Sequence, residues 1–202
     1  MATRTREALL VAHPAAEAEQ TLDEVLAERG FERAEPAPPI PTEPTERSEA
    51  RFFDVDAVQP ALSMIREWSG YSDATPWGAA LELAEGLPAA ARMEMALPPA
   101  LSVLARALSR RVTVIGFAAR EKPVHFVGVA FRDGRAADVI TMVKDRIVIG
   151  ARGEPRSCTP AEARVHLQGW LGRHGVDPAT TELLGGRDLP SRWSVVYLHA
   201  SH

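Results

Sequence analysis

Cys158 has the setting of a nucleophile. It stands directly ahead of Thr159-Pro160-Ala161-Glu162, in which threonine can cap a helix, proline takes the first helical position and glutamate the third. A helix N-terminus and the nearby Arg156 both favour thiolate over thiol. A cysteine enzyme also needs a base, and the histidines are His13, His125, His166, His174, His199 and His202. His166 lies seven residues beyond the capping threonine and does not point back at the sulfur, while His125 or His174 can approach only through the fold. The catalytic alternative is therefore Cys158 with His125 or His166. The competing reading makes Cys158 a structural cysteine, because no recognisable signature flanks it.

Other chemistry finds less to work with. His125, inside an apolar run, is either a buried general base or a histidine hydrogen-bonded near a strand end. No H-E-x-x-H motif and no second cysteine are present, so no metal site is expected. The chain lacks a Walker loop, a G-x-G-x-x-G turn and a G-x-S-x-G elbow, and no cofactor is expected. Glu43, Glu46 and Glu49 belong to a proline-rich stretch, and Asp133 is explained by a turn.

Recognition has a clearer candidate. Trp68, Tyr71, Asp73 and Trp77 cluster around Ser69-Gly70-Tyr71-Ser72-Asp73-Ala74-Thr75-Pro76, and large aromatics anchor protein interfaces. The alternative is that Trp68 and Trp77 close the core from two helix ends.

The elements that would position these residues centre on Val124 to Arg132. This apolar run of strand length ends in Asp133-Gly134, the strongest short hairpin signal, and is followed by further β-branched residues. Val124, Phe126, Gly128 and Ala130 fall on one pleat face and Val127, Val129 and Phe131 on the other, so the strand should be covered on both sides and lie mid-sheet. An antiparallel meander is expected over Val112–Ala119, Val124–Arg132, Arg135–Val143 and Arg146–Ala151, with a last strand at Trp193–His199. Helices are expected over Ala15–Arg29, stopped by Gly30; from Asp56, with Gln59 completing a capping box, to Trp68; over Pro76–Glu85; from Pro98-Pro99 through Leu101, Leu104 and Leu108; from Thr159 to about Gly172; and briefly after Asp177-Pro178. Residues 87–97 read equally as helix or strand.

The fold class is α+β, a mainly antiparallel meander sheet over about residues 112–151 plus a C-terminal strand, with packed helices and an N-terminal strand-helix unit. That unit spans residues 1–34, a Pro-rich linker or surface loop residues 35–49, and the main α+β domain residues 50–202, unless residues 1–34 and the main domain are continuous. Glu7–Gly30 and Arg51–Gly70 both read as a strand followed by a helix, which allows a second such unit beside the first.

Composition bounds the function. The 202 residues are 46% hydrophobic and 25% charged, which excludes wholesale disorder. A net charge of -4 gives no field for polyanions, so nucleic acid is not an expected partner. Lys122 and Lys144 are the only lysines, and this arginine- and alanine-rich usage suits a GC-rich bacterial genome. The apolar run after Arg6 is too short for a signal peptide and no stretch reaches spanning length, so a cytoplasmic protein with no membrane partner is expected. By elimination of enzyme motifs, the preferred function is a non-catalytic protein-binding module, of the kind an immunity-type inhibitor represents, with a basic protein partner. The rivals are a small cysteine-dependent enzyme and a structural or oligomer-forming subunit.

Overall fold

The computed structural model describes residues 5–35, 49–59, 62–69, 99–120, 125–150, 152–177 and 193–199. In chain order these form β1 (Thr5–Val11), α1 (Ala15–Ala27), β2 (Phe31–Arg33), β3 (Glu49–Gln59), β4 (Leu62–Ser69), α2 (Pro99–Leu108), β5 (Val114–Arg120), β6 (His125–Arg132), β7 (Arg135–Val143), β8 (Arg146–Ile149), β9 (Arg156–Ser157), α3 (Pro160–Arg173) and β10 (Trp193–His199). The strands make one ten-stranded sheet in the order β2-β10-β3-β4-β1-β5-β6-β7-β8-β9. Every pairing in it is antiparallel. The fold is α+β.

The meander from β5 to β8 follows from short connections that leave adjacent strands no option but to pair. Asp133 and Gly134 adopt φ of 52° and 75°, the left-handed pair that a two-residue turn needs to match strand twist. β6 is hydrogen-bonded to β5 and β7, and it is buried on both faces, with Phe126 and Ala130 on one and Val127, Val129 and Phe131 on the other. α3 covers the first of these faces. A Cβ placed on Gly128 would meet Ile140 Cγ2 and Trp170 Cζ3, each at 3.1 Å, so the indole lies against bare backbone. α1 and α2 pack on one another and bury Ala18, Leu22, Val25, Leu26, Leu104 and Leu108.

In place of the helix expected from Asp56 to Trp68, residues 56–59 and 62–68 lie in the paired strands β3 and β4, with Gln59 opposite Leu62 and Phe52 opposite Trp68. Val58, Leu62, Ile65 and Trp68 do fall at helical spacing, but Phe53, Val55 and Ala57 alternate with Asp54 and Asp56 as a strand does, and Pro60 removes an amide just inside the supposed helix. The alternation prevails because β10 and β1 supply partners on either side of the hairpin. With it goes the second strand-helix unit. The first is real, and its strand β1 runs between β4 and β5 in the common sheet. Gly30, at φ 79°, ends its helical segment as expected, and Phe31 re-enters the core as the start of β2. The Pro-rich segment, the helices expected at Pro76–Glu85 and after Pro178, and the ambiguous residues 87–97 lie outside the described residues.

Both edges of the sheet are short. β2 has three residues and β9 two. Beside β9 the chain turns tightly through Gly150 and Gly153: the Gly153 amide donates to the Gly150 carbonyl at 3.0 Å, and a Cβ on Gly153 would stand 2.2 Å from the Ile149 oxygen. Edges so brief give another strand little to pair with.

Candidate functional site

The start of α3 has the geometry its sequence promises. Thr159 Oγ1 accepts from the Glu162 amide at 3.3 Å, and the Glu162 carboxylate accepts from the Thr159 amide and hydroxyl, both at 2.8 Å. Those two donors, with His166 beyond them, hold the Glu162 carboxyl below the ordinary range. Cys158 sits immediately before this cap, and it is not the exposed, activated thiol that the catalytic alternative requires. Its side chain is buried, its amide donates to the Asp145 carbonyl at 2.8 Å, and its sulfhydryl contacts the Thr159 carbonyl at 3.4 Å. Burial pushes the thiol up, the Glu162 carboxylate pushes it further, and Arg156 only partly opposes them. Desolvation and the capping carboxylate thus act against the thiolate that the helix start and Arg156 favour.

Among the described residues, no hydrogen bond joins a histidine to this sulfur. His166 is half-buried on α3, and His125 opens β6 in register with Arg120. His174 caps the far end of α3, about 20 Å along the helix axis from Cys158.

His174 instead joins a cluster that sequence reasoning missed. Its Nε2 is 3.1 Å from Asp138 Oδ2 on β7, its ring meets Trp170 edge-on with centroids 4.6 Å apart, and its side chain is 8% exposed. Asp138 also accepts from the Val139 amide at 2.8 Å and has Arg173 Nη2 at 4.0 Å. Nδ1 is buried without a hydrogen-bond partner, and so is Trp170 Nε1. The contact with Asp138 and the packing on Trp170 pin the end of α3 to β7. The one sequence signal was Gly128, a glycine in mid-strand, which marks a close approach.

A second polar cluster fastens the β2 edge. The Tyr197 hydroxyl on β10 donates to Asp23 Oδ1 on α1, and Arg33 on β2 lies 3.4 Å from Asp23, 3.6 Å from Glu19 and 3.2 Å from Glu35. Tyr197 is buried, and burial first, then the Asp23 carboxylate, pushes its hydroxyl well above the ordinary range. Arg111 ties α1 to the end of α2 through Glu24 and, at 2.7 Å, Glu28.

Of the candidate recognition residues, Trp68 lies on β4 at the position opposite Phe52 of β3, one residue before the strand ends. Tyr71, Asp73 and Trp77 lie outside the described residues. No group of three or more metal-binding side chains occurs among the described residues, and no helix there is long and apolar enough to cross a membrane. No family model matches the chain, and neither a curated protein nor a solved structure matches it.

Proposed function

We propose that this chain is a non-catalytic protein-binding module that acts as an immunity-type inhibitor of a partner protein, with the segment from Trp68 to Trp77 as its recognition element. The observation that carries this reading is the mounting of that segment. β4, which carries Trp68, is hydrogen-bonded to β3 as far as Ser69 and to β1 as far as Arg66, so the start of the segment is anchored in a wide sheet. Recognition residues are effective when a rigid scaffold holds their base, because less freedom is then lost on binding. The segment supplies aromatic anchors and one carboxylate, which suits a basic patch on the partner, and the net charge of -4 adds long-range attraction for such a partner. The cysteine-enzyme reading draws no support from a buried thiol pushed toward its neutral form.

The test is capture of a partner from a bacterial lysate with the full chain as bait, at low and at moderate salt, with the stoichiometry of the captured complex measured by light scattering. One stoichiometric, salt-sensitive partner is expected, and it is lost from the Tyr71→Ala/Asp73→Ala bait. Capture that persists undiminished in the double variant overturns the assignment of the surface, and the absence of any stoichiometric partner overturns the function.

A further inference from the structure

Like charges crowd together where the ends of α1 and α2 meet the β6–β7 turn. Arg132 and Arg135 are direct cross-strand partners there, both exposed, and like charges so placed weaken a ladder. Arg110, exposed just beyond α2, lies along the same turn: a Cβ on Gly134 would stand 3.4 Å from its Cγ and its Nε. The turn is held in this place by the Gly134 amide, which donates to Ser109 Oγ at 3.2 Å, while Ser109 Oγ donates to the Arg106 carbonyl at 3.0 Å. Arg29, past the end of α1, feels the like charge of Arg110, after the larger effects of its own burial and of Glu28. Arg111 is satisfied by Glu24 and Glu28, which engages the nearest carboxylates of α1. Among the described residues, no ion pair joins Arg110, Arg132 or Arg135 to a carboxylate. The chain thus maintains a positive patch, against its own net charge, which Asp133 in the turn and Glu28 beside Arg29 oppose without an ion pair to Arg110, Arg132 or Arg135.

We propose that Arg110, Arg132 and Arg135, with Arg29 beside them, form a docking site for a short carboxylate-rich peptide segment of another protein. A guanidinium takes a carboxylate through two parallel hydrogen bonds, and an anion laid among several of them replaces mutual repulsion by attraction. The cations come from three elements rather than one loop, which matches an extended segment carrying several charges better than a single small anion. A short peptide also fits better than a nucleic acid. Glu24 and Glu28 border the patch, and a long polyanion running past it would meet like charge.

The site shares no residue with the aromatic segment and is tested with a probe that needs no known partner. Fluorescence anisotropy of a labelled oligoglutamate peptide on the full chain should show saturable binding that weakens about tenfold from low to physiological ionic strength. Binding should be lost in Arg132→Glu/Arg135→Glu and reduced several-fold in Arg110→Gln, with Arg164→Glu, on the exposed side of α3, leaving it unchanged. All these positions are exposed, and circular dichroism confirms the fold of each variant; if the double variant unfolds, Arg110→Gln decides. The proposal is overturned by absence of binding at low salt, by undiminished binding in the decisive variant, or by an equal loss in Arg164→Glu, which would mean that overall charge alone is read. Tighter binding, through the same arginines, of an oligodeoxynucleotide of equal charge would transfer the site to nucleic acid and overturn it as well.

Discussion

Gly128 is the residue on which the packing of α3 depends, because only a missing side chain lets Trp170 lie within van der Waals reach of the β6 backbone. Alanine there would place a Cβ 3.1 Å from both Ile140 and Trp170, tighter than most packed carbons come, so the buried indole would have to shift. Gly128→Ala is therefore expected to destabilise the protein by about 1–3 kcal/mol in urea unfolding, despite the better strand propensity of alanine. An unchanged midpoint would mean that the indole sits elsewhere. A glycine inside an apolar strand is a sign of close approach that the sequence displays; the identity of the approaching group is not legible, since Trp170 is far along the chain and reaches Gly128 only through the fold. Cys158 teaches the complementary lesson. Its sequence neighbours, a helix start and Arg156, all favour thiolate, and the local reading of them is sound. Burial is a property of the whole fold, and it reverses the sign.

Elements defined by local signals were legible. The Asp133-Gly134 turn and the Thr159 cap each need only a few adjacent residues, and β6, β7 and α3 follow from them within a residue or so. The β3–β4 hairpin was misread because its apolar residues satisfy a helical spacing as well as an alternating one, and the strands that decide the matter, β1 and β10, come from opposite ends of the chain. The clasp among β10, α1 and β2 was likewise invisible, as Tyr197 and Asp23 are joined across 174 residues of sequence. It has a measurable signature. A tyrosine whose folded pKa is raised keeps its proton where the unfolded chain has released it, so its contribution is complete below about pH 10 and falls as pH rises further. The stability of the parent is expected to drop by up to about 1.4 kcal/mol per pH unit above that point on account of Tyr197. Tyr197→Phe should be less stable near neutrality by about 1 kcal/mol, the net worth of a hydrogen bond, and should lose that part of the alkaline slope. Comparing the two at each pH cancels the like-signed contribution of Cys158. Parallel alkaline curves for the two proteins would show that the hydroxyl ionises freely in the folded state.

At the scale of the molecule, the sheet is one surface bounded by two very short strands, with an acidic helix near one edge and the arginine-bearing turn at the end of another pair of strands. Trp68, at the start of the candidate recognition segment, and Arg132 and Arg135 lie on different strands of that sheet, and variants at one set are expected to leave binding at the other intact. The middle of the sheet is occupied by β1, whose partners are β4 and β5. Deletion of residues 1–11 would open two rows of backbone hydrogen bonds at once, and the truncated chain is expected to be recovered as aggregate rather than as folded monomer in size-exclusion chromatography. The same placement governs how the protein comes off the ribosome. β1 must wait for residues 62–69 and then for residues 114–120 before both of its sides are satisfied, so an apolar segment is paired long after it emerges. For the interval of that wait the nascent chain depends on the pace of translation and on whatever shields Leu9, Leu10 and Val11 from other chains, which makes its folding yield in the cell sensitive to events that leave the finished structure untouched.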